Sequence, residues 1–163
     1  MAYRITNQFN ELFQRFTCEF FWPDFDWNWF KCQAIAESTL NPEAVSPAGA
    51  IGIMQLMPAT SAEMAAKLNI PDDPFNPEFS IRAGICYDRR CYDIWKKEED
   101  LERLRFMFAS YNAGAGNIIK AQRLATFKTK WISVSTQLPK ITGRHAEETF
   151  NYVRRIERMY GNI

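Results

Sequence analysis

Glu37 is the side chain in this sequence that is best placed for acid–base chemistry. It lies near the end of an apolar run, residues 34–40, which predicts the last turns of a helix. Asn41-Pro42 predicts the end of that helix, because proline disfavours helical geometry in the residue before it. Burial among apolar side chains raises the pKa of a carboxyl, which is the property that a general acid needs. The apolar neighbours expected around it are Ile35, Leu40, Val45, Ile51 and Met54.

The segment after this helix is predicted to be a loop of small residues with few polar side chains. Ser46-Pro47-Ala48-Gly49 is typical of a tight turn, with proline at its second position and glycine at its fourth. Beyond the turn lie one amide, Gln55, and two thioethers, Met54 and Met57. Pro58 suits the first position of the next helix, where its missing N–H costs nothing.

The composition is that of an ordinary globular protein. The chain has 163 residues, of which 47% are hydrophobic and 24% are charged, and we expect one domain over 1–163. A formal net charge of +1 gives no argument for a nucleic-acid partner. Residues 1–80 hold 4 basic and 10 acidic side chains, whereas residues 81–163 hold 16 and 9. This asymmetry indicates either that the two halves attract each other or that a basic surface concentrates an anionic polymer.

Neither a membrane span nor a metal site is predicted. No stretch approaches the ~18 apolar residues that a span needs, and residues 1–8 lack the pattern of a secretion signal. The four cysteines have no metal-ligand spacing and one histidine, His145, to join them, so no metal or cofactor is expected. We expect Cys18, Cys32, Cys86 and Cys91 to be buried thiols, with a Cys18–Cys32 disulfide as the open alternative.

Helical periodicity predicts an all-α fold. Thr6 is expected to cap a first helix and Asp26 to cap a second over about 27–40, while Gly114 and Gly116 are expected to break a later one. The dense aromatic segment 20–30 could line a sugar groove, but we expect most of its rings to be core. The other predicted helices cover about 58–68, 78–96, 100–112, 118–125 and 144–160, and 126–142 gives no clear pattern.

Several motifs, in the same order along the chain, resemble the catalytic core of the soluble lytic transglycosylase family. The resemblance covers roughly 30–160 and implies a goose-type-lysozyme-like, all-α catalytic domain. The residues that carry it are Glu37-Ser38, Asn41-Pro42, Ala44 to Ala50, Gly52 to Pro58, Thr60, Ser110 to Gly114, Glu148-Thr149 and Tyr152-Val153.

The resemblance implies an enzyme that cleaves the β-1,4 bond between N-acetylmuramic acid and N-acetylglucosamine in peptidoglycan, leaving 1,6-anhydromuramyl ends. Most glycosidases use two carboxylates, whereas the motif supplies one, Glu37. One carboxylate suffices if the acetamido carbonyl of the sugar stabilises C1. Glu37 would then protonate the leaving oxygen and afterwards take the proton of the C6 hydroxyl.

The loop residues are assigned substrate contacts by the same resemblance. Ser46 and Gln55 would position the acetamido group and the sugar hydroxyls. Met54 and Met57 would form adaptable apolar walls. For both methionines, a purely structural place in the core is the alternative.

Four residues in the second half of the chain are assigned substrate contacts in the same way. Tyr111 and Asn112 would flank the scissile bond, and Glu148 and Tyr152 would close the groove. Simpler roles stay open: a core tyrosine with a satisfied hydroxyl, an asparagine that ends a helix, and a glutamate paired with a nearby arginine.

Two positions depart from the usual pattern of the family. Ser110 stands where alanine is usual, which is a small change. Ser80 stands where asparagine is common, so the local hydrogen bonding of the loop is expected to differ.

Two other functions stay open. A muramidase-type hydrolase on the same fold would use water as nucleophile, with Asp72, Asp73 or Glu147 as base. A glycan-binding or structural virion component would keep an idle site. The expected partner is peptidoglycan, and the expected state is a monomer. The absence of a visible signal or wall-binding module suggests a phage lysin made in the host cytoplasm, or else a bacterial enzyme whose export segment lies outside this chain.

Overall fold

The computed structural model describes residues 6–162, which are mostly helical. The elements are α1 (Asn10–Phe20), α2 (Asn28–Ser38), α3 (Pro58–Leu68), α4 (Pro77–Ile94), α5 (Asp100–Ala113), α6 (Ala115–Leu124), α7 (Trp131–Ser135), α8 (Pro139–Thr142), a 3-10 turn (Gly143–His145) and α9 (Ala146–Tyr160). The predicted all-α class is therefore confirmed. Within 6–162, no helix is long and apolar enough to cross a membrane. The secretion-signal prediction concerns residues 1–8, of which 1–5 lie outside the described residues.

The chain divides into two compact units. The first contains the described residues up to Tyr87 together with those from Met159 onward, and the second is Asp88–Arg158. Helices α4 and α9 each contribute to both units. That the chain acts as one catalytic domain stays a prediction.

Two of the seven aromatic side chains of segment 20–30 lie in the core of the first unit. The ring centroids of Phe21 and Phe25 lie 4.5 Å apart, and those of Phe21 and Phe30 lie 5.1 Å apart. Phe21 and Phe30 are buried, whereas Trp22 packs edge-on against Phe25 and stays exposed. Because each buried ring removes a large apolar area from water, this cluster fixes α1 against α2. The expectation that most rings of this segment are core is wrong: Phe21 and Phe30 are buried, whereas the other five are half-buried or exposed. Most of the segment is the connection between α1 and α2, and such connections run over the surface.

The first two helices begin differently from one another. Thr6 was predicted to cap α1, but this prediction is wrong. Its hydroxyl instead accepts the amide of Gln8 at 3.1 Å. A turn in which the Asn7 carbonyl accepts the amide of Asn10 separates Thr6 from the helix. By contrast, Asp26 does accept the amide of Asn28, the first residue of α2, at 2.9 Å.

The two glycines that were predicted to break a helix have different roles. Gly114 has a φ of +82° and separates α5 from α6, as expected. Gly116 lies inside the first turn of α6, so the prediction for it is wrong. The first amides of a helix have no intrahelical partner anyway, and a glycine there is tolerated. The unclear segment 126–142 contains the short helices α7 and α8.

The cysteines are mostly buried. Cys32, Cys86 and Cys91 are buried as predicted, and burial raises the pKa of the Cys32 thiol to about 12. Cys18 is exposed, contrary to expectation, because it lies one helical position, a rotation of about 100°, beyond the buried Thr17. Cys18 and Cys32 are free thiols, so the disulfide alternative is not formed.

Buried polar contacts connect the helices of the second unit. The indole N–H of Trp95 donates to the hydroxyl of Ser110 at 2.9 Å, and both residues are buried. Arg105 donates to Glu102 and Glu157, at 2.9 and 2.5 Å. Although burial opposes its charged form, these carboxylates raise the pKa of Arg105 above its ordinary value. Ser110, the departure from the family pattern, therefore satisfies a buried donor.

The C-terminal end of α9 completes the first unit. The phenol of Tyr160 donates to Asp26 at 2.7 Å, and its ring stacks on Trp29 with centroids 3.6 Å apart. Burial opposes ionisation of Asp26, but the hydrogen bonds from Tyr160 and Asn28 outweigh it and lower the pKa of this carboxyl. The hydrogen bond to Asp26 raises the pKa of Tyr160 to about 12.

Replacement Tyr160→Phe should test this contact, since it removes the hydroxyl and keeps the ring on Trp29. We expect the free energy of unfolding, measured in urea at about pH 7, to fall by about 1 kcal/mol. Because the pKa of Asp26 is lowered in the folded protein, its contribution exists above the unfolded pKa and is lost as the pH falls. The difference between wild type and variant should therefore shrink below about pH 4.

The matched pair of carboxyl variants is Asp26→Asn and Asp24→Asn, the second at an exposed position in the same loop. Asp26→Asn should lower stability and Asp24→Asn should leave it unchanged. Equal effects of the two would contradict this account.

Candidate functional site

Glu37 is the next-to-last residue of α2 and is half-buried. The helix ends earlier than Asn41-Pro42, because Thr39 and Leu40 adopt left-handed conformations with φ of +56° and +62°. Such conformations are unfavourable for residues other than glycine and persist where the surroundings enforce them. The backbone directly after Glu37 is therefore strained and fixed.

Ser38 connects the end of α2 to the loop that follows. Its hydroxyl donates to the carbonyl of Ile53 at 2.8 Å and accepts the amide of Asn41 at 3.1 Å. The buried side chain of Leu40 anchors the same turn. Because these contacts act on the residues next to Glu37, they hold the backbone of Glu37 in a defined place relative to the loop.

The loop after Asn41 contains the predicted turn. The amide of Gly49 donates to the carbonyl of Ser46 at 2.9 Å, and Gly49 has a φ of +89°. The Ser46 hydroxyl accepts the amide of Ala50 at 3.0 Å, so this candidate substrate contact also stabilises its own turn. Val45 pairs through its backbone with Ile51 but is exposed, so the expectation that it surrounds Glu37 is wrong.

Gln55 closes the loop on itself. It has a left-handed φ of +48°, and its side-chain N–H₂ donates to the carbonyls of Ala44 and Gly52 at 3.2 and 3.0 Å. Since its amide nitrogen is engaged in the loop, the carbonyl oxygen is the atom that a substrate donor would use.

The two methionines have different surroundings. Met54 is fully buried and Met57 is exposed. The Met54 amide donates to the hydroxyl of Ser80 at 3.1 Å, so the second departure from the family pattern supplies an acceptor beneath the loop. A Cβ built at Gly84 would lie 2.7 Å from Met54 Cγ, which shows how closely α4 supports this side chain.

In the second unit, Asn112 lies in the last turn of α5 and borders a cavity of about 370 Å³. Its side-chain oxygen accepts the hydroxyl of Thr149, on α9, at 2.7 Å. This bond orients the amide, because a carbonyl oxygen that accepts from Thr149 leaves the NH₂ group as donor for other partners. Asn117 and Thr142 also line the cavity.

Glu148 and His145 border the same cavity. Both are exposed, and the His145 Nδ1 lies 3.9 Å from the Glu148 carboxylate. Tyr111 is half-buried on α5, and Tyr152 is buried on α9.

The nine predicted site residues fall into both units. Those in the first unit are Glu37, Ser46, Met54, Gln55 and Met57; those in the second are Tyr111, Asn112, Glu148 and Tyr152. Within each unit, hydrogen bonds hold several of them in place. Thr149 was assigned no role by sequence reasoning, although it lies in a motif, and for Ser80 a change in loop hydrogen bonding was expected without a named partner. Both hydroxyl residues are buried, and a buried hydroxyl group almost always has a hydrogen-bond partner. The sequence shows the hydroxyl residue but not its burial, so it could not name the partner.

Comparison with known families gives a consistent result. The model of the transglycosylase SLT domain matches residues 23–134. The membrane-bound lytic murein transglycosylase F of Vibrio cholerae is 32% identical over 93% of this chain, and that of Yersinia pestis is 34% identical over 83%. The chain spans 30% of the length of each of these curated relatives.

Solved structures give the same fold. The 70 kDa soluble lytic transglycosylase of Escherichia coli superposes with a TM-score of 0.71 at 25% identity, over 97% of this chain and 25% of that one. An inactive variant of lytic transglycosylase Slt from Pseudomonas aeruginosa gives 0.73 at 22% identity, over 98% of this chain and 25% of that one. The expected lysozyme-like fold is confirmed.

Gly52 and Gly49 offer a matched test of how tightly the loop is held. Both have positive φ, but a Cβ at Gly52 would lie 2.0 Å from the Pro74 carbonyl oxygen, whereas a Cβ at Gly49 would meet nothing within 4 Å. Gly49→Ala should cost about 1 kcal/mol of unfolding free energy, from backbone strain alone. Gly52→Ala should cost about 3 kcal/mol, because overpacking adds to the strain. Urea unfolding measures both, and equal costs would mean that the loop is not packed on Pro74.

Proposed function

Because this chain belongs to the transglycosylase SLT domain family, we propose that it is a lytic transglycosylase acting on peptidoglycan. The bond cleaved would be the β-1,4 linkage between N-acetylmuramic acid and N-acetylglucosamine, with formation of 1,6-anhydromuramyl ends. The site of action would be the bacterial cell wall. Origin from a phage stays a prediction.

The placement of Glu37 is the observation that supports this proposal most directly. The carboxylate is half-buried at the end of α2, and the residue after it is hydrogen-bonded to the Ile53 carbonyl of the loop. The motif side chains of the following loop, Ser46 and Gln55, are neutral. A single carboxylate held by a rigid backbone suits a reaction in which the substrate itself supplies the second group.

In the proposed mechanism Glu37 acts first as acid and then as base. It gives its proton to the glycosidic oxygen while the bond from C1 to that oxygen breaks and the oxygen keeps the electron pair. The acetamido carbonyl of the same sugar stabilises the positive charge that develops at C1. The ionised Glu37 then takes the proton of the C6 hydroxyl while O6 bonds to C1. Glu37 ends protonated and no water is consumed.

The proposed glycan contacts follow from groups that the fold keeps oriented. In the loop, the Gln55 carbonyl oxygen and the Ser46 hydroxyl would bind sugar N–H and O–H groups, with Met57 as an exposed apolar contact. In the second unit, Asn112 and Glu148 border a cavity that would accept a polar part of the glycan. Tyr111 and Tyr152 remain proposed substrate residues on the resemblance. Met54 was assigned to the same group, but its complete burial favours the alternative of a structural place in the core.

The competing hydrolase would need a second carboxylate to activate water. Asp72 and Asp73 are exposed, and the Asp72 carboxylate accepts the hydroxyl of Ser61 at 2.5 Å. The Asp72 oxygen that accepts from Ser61 is less available to take a proton from water. Asp72 is therefore a poor candidate for the base of a hydrolase. The mass of the products separates the two reactions, since an anhydro end is lighter by one water than a reducing end.

Replacement Glu37→Gln should abolish cleavage of purified peptidoglycan, with a loss of about a thousandfold in rate, because the amide cannot donate or accept the proton in turn. Mass spectrometry of the released muropeptides gives both the rate and the type of end. The matched control is Glu43→Gln, an exposed carboxylate in the same segment, which should keep wild-type activity. Reducing ends from the wild type would favour the hydrolase, and an active Glu37→Gln would reject both reactions.

Replacement Thr149→Val should weaken substrate binding, since it removes the donor that orients the Asn112 amide and keeps the shape of the side chain. We expect KM to rise about fivefold, the value of one lost hydrogen bond, with kcat less affected. Thr149→Ser should restore the wild-type KM, because its hydroxyl can make the same bond. A rise in KM that serine does not rescue would assign Thr149 a packing role.

A further inference from the structure

An exposed apolar cluster lies at the junction of α6 and α7. Leu124, Phe127 and Ile132 are 53%, 67% and 64% exposed. Single exposed apolar side chains are common on soluble proteins, but three large ones within nine consecutive residues are a local concentration of the kind found at interaction surfaces. Together with the basic residues described next, they are called the α6–α7 face.

Four exposed cations accompany these apolar side chains: Lys120, Arg123, Lys128 and Lys130. Lys120, Arg123 and Leu124 are spaced i, i+3 and i+4 on α6, so they share one side of the helix. Within residues 6–162, none of the four cations takes part in an ion pair. Their charges are therefore available to an anionic partner.

The sequence around this face lacks compensating carboxylates. Residues 103–146 contain no aspartate or glutamate and eight lysines and arginines. Two carboxylates from before this stretch hydrogen-bond to it, but both are engaged. Glu98 is buried and accepts the Gln122 amide, while Glu102 pairs with Arg105 and accepts the backbone N–H of Trp131 at 2.6 Å. On α9, Glu157 pairs with Arg105, and Glu147 and Glu157 border cavities that Ile132 also lines. The excess of positive charge therefore lies at Lys120, Arg123, Lys128 and Lys130.

The loop that carries Phe127 is held in shape by its own hydrogen bonds. The Phe127 amide donates to the Ser133 hydroxyl at 3.1 Å, and the Phe127 carbonyl accepts the Lys130 amide at 3.1 Å. The Gln122 side chain donates to the Lys128 carbonyl at 2.8 Å. Since the backbone is fixed on both sides of it, Phe127 stays outside the core, and little further ordering would be needed for it to enter a partner.

We propose that the α6–α7 face binds the surface of an anionic phospholipid bilayer. Exposed aliphatic and aromatic side chains can enter the boundary between headgroups and acyl chains, and the surrounding lysines and arginine can contact phosphate groups. A soluble anionic polymer would use the four cations but would leave the three apolar side chains in water, so it explains half of the face. This binding would attach the protein to the surface of the bilayer without crossing it. It does not depend on whether the chain cleaves glycan.

The test is co-sedimentation of the full chain with lipid vesicles containing about 30 mol% phosphatidylglycerol in phosphatidylcholine, compared with vesicles of phosphatidylcholine alone. Wild type should bind the anionic vesicles, and binding should weaken as salt is raised. Phe127→Ser combined with Ile132→Ser should lower the partition coefficient about tenfold, since two apolar contacts are lost. Lys128→Gln combined with Lys130→Gln should lower it by a similar factor.

Matched controls lie elsewhere on the surface: Phe75→Ser for the apolar pair and Lys96→Gln with Lys97→Gln for the basic pair, all at exposed positions. These should bind the vesicles as wild type does. Leu124→Ser gives an independent apolar variant, and circular dichroism checks the fold of each. Cleavage of solubilised peptidoglycan should be the same in all variants.

Two results would overturn the proposal. One is a wild type that binds neither type of vesicle, or both equally. The other is an apolar variant that binds anionic vesicles as wild type while the basic variant does not, which would make the face a purely electrostatic site for anionic polymers.

Discussion

The hydrogen bond from the Ser38 hydroxyl to the Ile53 carbonyl joins the end of α2 to the loop behind it, and the order of the whole motif depends on it. The same hydroxyl accepts the Asn41 amide, so one side chain fixes the chain both where it leaves the helix and where it returns. Thr39 and Leu40 lie between these points in left-handed conformations that isolated residues would avoid. The backbone that carries Glu37 is thus held in place by these contacts, which suits a group that must give and take a proton at one place.

Small hydroxyl residues have a similar role elsewhere in the chain. Ser80 accepts the Met54 amide, Ser110 accepts the Trp95 indole, and Thr149 donates to Asn112. Each of these three hydroxyl residues is buried, and a buried polar group without a partner costs more than its hydrogen bond gains. These contacts explain how the chain can differ from the usual family pattern at Ser80 and Ser110 and keep the same fold.

Periodicity was sufficient to predict the fold class and most helix bounds. The positions of proline and glycine predicted that Glu37 lies at a helix end and that Gly49 closes a turn. Each of these features depends on a few neighbouring residues. Thr6 and Gly116 were wrong for a common reason: the exact start of a helix depends on tertiary contacts, and local propensity gives it only to within a few residues. The exposure of Cys18 and Val45 could not be predicted either, since apolar character alone does not say which side of an element faces water. Long-range pairs such as Trp95–Ser110 leave no signal in one sequence.

Tyr160 closes the first unit through its stack on Trp29 and its bond to Asp26, although it lies 134 residues after Asp26 in the sequence. The ribosome releases Asp26 and Trp29 long before it adds Tyr160, and domains generally fold as they emerge. Helices α1 and α2 must therefore wait, with one side of their aromatic cluster uncovered, until a residue 134 positions after Asp26 has been made. Synthesis of this chain passes through a nascent state in which the earlier helices still lack their last contact.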